Sequence, residues 1–306
     1  MSRGDMSFAD VHARLNLFAV LPNLEDVVSG DEEMRALVSD ARIVVRFNVT
    51  AGPKAWVRLA DGVCTVGQGL GPEKQAAGGP VAVGDPAATG EAAGAAASPA
   101  AVPSVVLLFT SSSHLNKMFD GASQPIPVWG FNHLKFLQGP FSELTDRMAY
   151  YLAPTEELLE HPGYLAMNTR LTLNTAACAV PQLLAADPDC MPLRHALSRG
   201  TIVIRVEPDG PAVSLVCGAS GVRPVKGELP HPSALVELPG LRVANDFLNG
   251  RLDTFAAVAR GDIRIRGQIS MVDTLGLVLD RVGKYLTPAG AAAPAGPDTA
   301  TATAAG

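Results

Sequence analysis

Phe247-Leu248-Asn249-Gly250-Arg251-Leu252-Asp253-Thr254-Phe255-Ala256-Ala257-Val258-Ala259-Arg260-Gly261-Asp262-Ile263-Arg264-Ile265-Arg266-Gly267 changes character three times in 21 residues. Phe247 and Leu248 close an apolar helical pattern that begins at Leu241. Gly250 stops it, because glycine takes the left-handed conformation at a helix end without steric cost. Asp253 is placed to cap a second, short helix, Thr254 to Ala259, which ends before Gly261. From Asp262 to Gln268 the pattern alternates, with Ile263 and Ile265 on one face and Arg264 and Arg266 on the other. That period of two predicts a half-buried strand with a core on one side and water on the other.

The same reading extends in both directions. Downstream, Ser270-Met271-Val272-Asp273 has the form of a capping box. Leu275, Val278, Leu279, Val282 and Leu286 then make one apolar stripe at helical spacing. Upstream, Leu171 to Leu184 predicts a helix interrupted by Pro181, and Met191 to Ser198 a short one capped by Gly200. Ile202 to Val206, Ala212 to Cys217 and Leu235 to Leu238 predict strands, the first two joined by the turn residues Glu207-Pro208-Asp209-Gly210. The class is α+β: a sheet of about five strands covered by helices.

The N-terminal half carries a second version of this pattern. Pro22-Asn23-Leu24, Met34-Arg35 and Ile43-Val44-Val45-Arg46-Phe47 match Pro181-Gln182-Leu183, Leu193-Arg194 and Ile202-Val203-Ile204-Arg205-Val206 at a constant offset of 159. Asn116 to Gly121 pairs with Asn245 to Gly250, and Asp146-Arg147 with Tyr151-Leu152 pairs with Asp280-Arg281 and Tyr285-Leu286. Polar and special residues recurring in register and in the same order point to an internal duplication. The expected units are 1–153 and 154–287. Residues 75–103, of which 12 are Ala, 5 Gly and 4 Pro, fall in one gap of this match. They read as a flexible insertion rather than a domain boundary, and 288–306, of like composition, as a fraying tail.

Composition narrows the functional classes. The 306 residues carry 24 Lys plus Arg against 30 Asp plus Glu, a net charge of −6, which argues against a general nucleic-acid binder. No stretch approaches the ~18 apolar residues of a membrane span, and Met1 to Val20 lacks a secretory pattern, so a soluble cytoplasmic protein is expected. Cys64, Cys178, Cys190 and Cys217 have no zinc-type spacing and read as small buried hydrophobes in a reducing compartment.

The run from Phe247 to Gly267 resembles the sterol carrier protein 2 (SCP-2-like) family. The resemblance lies in the helix ending in Gly250-Arg251-Leu252, the short Ala-containing helix, Gly261, the alternating charged strand and the closing Gly267. It holds from about Met191 to Leu286 and reaches the first half only through the repeat. There Gly121-Ala122-Ser123 replaces Gly250-Arg251-Leu252, Pro125 and Pro127 interrupt the short helix, and Leu134-Lys135-Phe136 with Gly139 stands for the strand. The resemblance implies an apolar tunnel between sheet and helices that holds a fatty acyl, sterol or isoprenoid ligand, with no covalent chemistry and no cofactor. Candidate walls are the inward-facing Phe247, Leu248, Leu252, Phe255, Val258, Ile263, Ile265, Leu275, Leu279 and Val282. The same residues suit an ordinary packed core, so a structural or protein-interaction module with a filled, vestigial cavity is the alternative. In the first half, Trp129, Phe131, Phe136 and Phe141 are bulky enough to plug the space.

Other motifs read as structural. Gly67-Gln68-Gly69-Leu70-Gly71 lacks the following helix that a phosphate-binding loop needs. Cys190 with His195 makes a poor metal pair, and Ser111-Ser112-Ser113-His114 offers a hydroxyl beside an imidazole with no orienting acid. Arg260, Arg264 and Arg266 form the one local basic strip: a solvated strand face, or a contact for an anionic membrane surface.

Overall fold

The computed structural model describes residues 6–72, 102–252 and 254–286. Most of the Ala/Gly/Pro insertion, the C-terminal tail and the capping role read for Asp253 lie outside these residues. The chain forms two compact units, Ser7–Ala153 and a second that begins at Pro154.

The first unit opens with α1 (Phe8–Leu15), where Ser7 and Asp10 close a capping box that satisfies two backbone donors at the helix start. Helix α1 runs through a π turn, Asn16–Val20, to α2 (Asn23–Gly30) and α3 (Glu32–Leu37). Then come β1 (Ile43–Val49), β2 (Lys54–Ala60), β3 (Val63–Gln68), β4 (Ser104–Phe109), α4 (Ser112–Phe119) and β5 (Ile126–Trp129). Short 3-10, α and π turns, including α5 (Leu134–Phe136), lead to α6 (Ser142–Leu152). Pro103, placed in the loop by composition, already belongs to the sheet margin, since its carbonyl accepts from Val44 N–H.

The second unit contains α7 (Glu156–Leu159), α8 (Pro162–Ala186), a 3-10 turn at Met191–His195, β6 (Gly200–Glu207), β7 (Ala212–Gly218), β8 (Gly221–Lys226) and β9 (Ala234–Pro239). Helices α9 (Leu241–Leu248) and α10 (Thr254–Arg260), strand β10 (Arg264–Gly267) and helix α11 (Ile269–Leu286) complete it.

The sheet orders are β3-β2-β1-β4-β5 and β10-β9-β6-β7-β8, so both run 3-2-1-4-5 when counted within the unit. The central pairs β1·β4 and β6·β9 are parallel and all others antiparallel. A parallel pair cannot be closed by a hairpin, so in each unit two strands run out to one edge before the chain crosses back. Alternation sets the faces. Val45, Phe47, Val57, Leu59, Leu107 and Phe109 are buried on one side of the first sheet, whereas Arg46, Asn48, Lys54 and Arg58 share the other. In the second sheet Ile202, Ile204, Val206, Leu215, Val236 and Leu238 make the buried side.

Several local expectations change. Helix α8 continues through Pro181 to Ala186. A proline inside a helix costs about 3 kcal/mol, but Leu171, Leu173, Val180, Leu183 and Leu184 are buried along α8, and each contributes roughly 1.5–3 kcal/mol. Gly200 is not a helix cap. It opens β6 at φ 119°, and a Cβ there would lie 2.8 Å from Ser233 Oγ. Strand β8 went unread because Pro224 sits inside it, which an edge strand tolerates. Helix α11 starts at Ile269, so Ser270 is within the helix rather than its cap.

The largest correction concerns the end of the first unit. Leu134-Lys135-Phe136 is helical, and the fifth strand is Ile126–Trp129, including Pro127. Again the proline is allowed because β5 is an edge. The glycine that closes it is Gly130, at φ 81°, where a Cβ would lie 2.4 Å from the Ser104 carbonyl oxygen. Gly267 does the same in the second unit, at φ 85° and 2.2 Å from the Ser233 carbonyl oxygen.

Candidate functional site

The second unit's helices are pinned at the two ends of α8. Near its start, Asn245 of α9 donates from Nδ2 to Asn168 Oδ1 at 2.5 Å and to Thr169 Oγ1 at 3.1 Å, all three residues being buried. At its end, fully buried Asp187 receives Arg281 Nη2 and Tyr285 Oη of α11, each at 2.9 Å. These anchor points are 19 residues apart, about 28 Å at the helical rise of roughly 1.5 Å per residue. Helices α9 and α11 both pack on β9 as well, and α11 also meets β10.

This arrangement distributes the predicted wall residues in two groups. Phe247 and Leu248 lie on α9, with Leu252 just beyond it, while Ile263 and Ile265 lie before and within β10 and Leu275, Leu279 and Val282 lie along α11. Ile263 and Leu275 are buried; Phe247, Leu248, Leu252, Ile265, Leu279 and Val282 are half-buried. The side chains of Phe255 and Val258 lie outside the described residues. A completely filled interior would bury such side chains throughout, since cores pack to crystal-like density. Met271, Val278 and Ala257 are buried in the same segment and are not among the predicted walls. Val278 was legible from the helical stripe, whereas the depth of Met271 and Ala257 depends on what packs above them.

The polar anchors explain the repeated residues. Asp31 receives Tyr151 Oη at 2.9 Å and lies 3.6 Å from Arg147 Nη1, as Asp187 receives Tyr285 and Arg281. Asp31 and Asp187 also both accept backbone N–H groups from the turn that follows them. Asn16 Nδ2 donates to Asn116 Oδ1 of α4 at 3.1 Å, an Asn–Asn bond with the donor roles reversed from that of Asn245 to Asn168. The Arg and Tyr of each clamp were visible as a repeat; their aspartates were not, because distance along the chain hides the partner. Burial pushes the Asp187 carboxyl up, but hydrogen bonds from Arg281 and Tyr285 outweigh it and leave it below the ordinary carboxylate value. Burial and the bond to Asp187 push the Tyr285 hydroxyl up to about 12.

The arginine strip is largely neutralised. Arg260 pairs with Asp262 at 2.7 Å, and Arg266 Nε lies 3.2 Å from Glu237 Oε2. Glu237, nearly fully buried, also takes Arg205 at 2.5 Å. Burial raises its carboxyl, yet the Arg205 hydrogen bond and the charges of Arg266, Arg205 and Arg264 hold it below the usual range. A strip whose charges are met within the protein has little left for an anionic surface.

The remaining polar motifs have structural partners. Ser111 caps α4 by accepting from His114 N–H, Ser112 Oγ donates to Asp10 at 2.6 Å, and His114 Nε2 lies 2.9 Å from the Gln124 carbonyl. Gly67 and Gln68 belong to β3, where the Trp56 ring lies over Gly67. Burial raises the Cys190 and Cys217 thiols to about 11. Cys190 is buried while His195 is exposed. Among the described residues no group of three or more His, Cys, Asp or Glu side chains could hold a metal ion. Among them, too, no helix is long and apolar enough to cross a membrane.

No protein-family model matches the chain, and no curated protein does. Among solved structures it is similar to a ubiquinone synthesis protein, UbiJ-SCP2, at 16% identity, covering 34% of this chain and 93% of that one with a TM-score of 0.28. It is similar to sterol carrier protein domain 2 of Helicoverpa armigera at 16% identity, covering 37% and 89% with a TM-score of 0.29. It is also similar to sterol carrier protein 2 like 2 of Aedes aegypti at 15% identity, covering 36% and 97% with a TM-score of 0.27.

Proposed function

We propose that the second unit binds an apolar, lipid-like molecule between its sheet and helices, without covalent chemistry. The observation that carries this reading is the set of six half-buried apolar side chains on α9, β10 and α11, in the segment whose sequence resembles the SCP-2-like family. Burying an acyl chain of 16 methylenes is worth about 12 kcal/mol gross at roughly 0.8 kcal/mol each, enough to outweigh ordering costs. A non-catalytic role fits the buried, protonated thiols and the hydroxyls committed to caps.

The same reading treats the chain as a tandem duplication in which the first unit has lost the site. Shared strand order, the Asp–Arg–Tyr clamp and the Asn–Asn bond support the common origin. Loss in the first unit is supported by its interior, where Phe47 stacks on Phe109 at 6.2 Å and meets Phe141 at 6.4 Å.

Native mass spectrometry of gently purified full chain, followed by organic extraction, tests the proposal. A lipid-sized adduct is expected, and Leu279→Glu should remove it while the circular dichroism stays native. Wild-type protein with no adduct and no uptake of fluorescent acyl or sterol probes would move the reading to a protein-interaction module.

A further inference from the structure

The four sheet edges are finished differently. At β3, Glu25 Oε1 of α2 accepts from Val66 N–H at 2.8 Å. Strand β8 lies against α8. Strand β10 carries Arg264 and Arg266, both exposed, and charge on an edge discourages pairing. Strand β5 is apolar and open instead. Ile126, Val128 and Trp129 are 43%, 42% and 66% exposed there, and Phe131, just past Gly130, is 60% exposed.

Ile126 and Trp129 are three residues apart, so strict alternation would put them on opposite faces of the sheet. A bulge opposite Val106 and Leu107 prevents that. Ile126 stands opposite Leu108 and Trp129 opposite Val106, with Val128 as the extra residue. Both side chains therefore lie on the face of half-buried Val106 and Leu108, away from buried Leu107 and Phe109. Bulges re-aim side chains in this way at sheet edges. Charge follows the same boundary. From Gly121 to Ser142 there is no Asp or Glu, although the chain has 30 of them and a net charge of −6. Lys135 is the one formal charge in this stretch, and it is exposed.

Size and geometry select the occupant. An aromatic side chain offers about 150–250 Å², so Trp129 and Phe131, with Ile126 and Val128, expose on the order of 400 Å². A stable protein interface takes about 800 Å² from each partner. Strand addition is hindered as well, since β5 has four residues and one of them, Pro127, lacks a backbone donor. A bilayer needs neither a matching strand nor a large area. Aromatic side chains settle at headgroup level, where the indole N–H stays wet. Acids would be repelled by anionic lipids, and this stretch has none.

We propose that β5 and the turn after it dock this protein on a phospholipid bilayer. Trp129 and Phe131 sit at the headgroup–acyl boundary with Ile126 and Val128 beside them, and Lys135 meets lipid phosphates. The surface belongs to the first unit and does not depend on lipid-like binding by the second.

The chain has two tryptophans and Trp56 is buried, so a change of emission on docking reports Trp129. Full-length protein is mixed with phosphatidylcholine vesicles, with and without phosphatidylglycerol. Co-sedimentation, a blue shift of emission and quenching by phosphatidylcholine brominated on its acyl chains are expected. Trp129→Ala and Phe131→Ala should each weaken vesicle binding at least about tenfold. Ile126→Glu should weaken it further when phosphatidylglycerol is present. These side chains are exposed, so the circular dichroism should stay native. Leu279→Glu should bind vesicles as the wild type does, which separates docking from uptake of a lipid by the second unit. No co-sedimentation with either vesicle, no quenching, loss of binding in Leu279→Glu, or full binding with Trp129→Ala and Phe131→Ala combined would overturn the proposal. So would a wild-type dimer that Trp129→Ala dissociates, which would give the patch to a second copy.

Discussion

The two units share a strand order and a set of polar anchors, and they differ in what fills the space around them. On the helix side of the first sheet, Phe47 stacks on Phe109 and meets Phe141. Register places Val206 and Gly240 at the positions of Phe47 and Phe109 in the second unit. On the opposite face the relation reverses: the second unit closes over Arg205 with three glutamates, and the first keeps a cavity beside Arg46. The frame is common to the two units and the contents differ. Side-chain volume and charge on a fixed sheet change freely, whereas strand order and buried anchors do not, because breaking an anchor leaves an unpaired buried polar group.

This contrast can be broken most directly at Phe109. Phe109→Ala should destabilise the first unit by about 4 kcal/mol, the cost of a cavity in a filled core. Urea unfolding would read it. A loss below about 1 kcal/mol would mean that the interior is not filled as the stacked rings indicate.

The shared anchor gives the next effect. Asp187→Asn should cost about 3 kcal/mol, since it leaves Arg281 facing a neutral group in a buried place, and Asp31→Asn less, about 1–2 kcal/mol, because Arg147 is farther away at 3.6 Å. The Asp187 carboxyl titrates lower when folded than when unfolded. Its stabilisation is therefore complete above the ordinary carboxylate range and fades as pH falls through the folded value. The variant should lose part of the acid-side slope of stability that the wild type shows below about pH 4. Equal slopes would remove Asp187 from the account of acid unfolding.

Val206→Phe places in the second unit the ring that fills the first. In a packed interior such an enlargement costs about 1–3 kcal/mol. With open space beside it the expected loss is under about 1 kcal/mol, accompanied by loss of lipid uptake. A large drop in thermal stability with uptake retained would place the ligand elsewhere.

Much of the frame was legible in the sequence. The alternating Ile263–Arg266 segment, the glycine stop at Gly250 and the Arg147/Tyr151 and Arg281/Tyr285 repeats all follow local rules of period and conformation. The fifth strand of the first unit was misplaced because two prolines argued against Ile126–Trp129, and only its edge position shows why Pro127 is harmless there. The plug was assigned in part to Trp129 and Phe131, which are 66% and 60% exposed, while Phe47 and Phe109 were passed over as ordinary strand residues. Aromatic size is written in the chain, but the direction of a side chain depends on strand register.

What the sequence determined alone is what short-range physics controls: α+β elements, their order, the duplicated pattern and the glycines at sites of positive φ. What only the tertiary structure decided is which distant residues meet. Asp187 with Arg281 and Tyr285 spans 98 positions at most, and Arg205 collects carboxylates from up to 32 positions away. The cavity beside Arg46 likewise exists only because β1 pairs with β4. Charge, volume and burial act through space, so a pocket exists only once the sheet has brought its walls together.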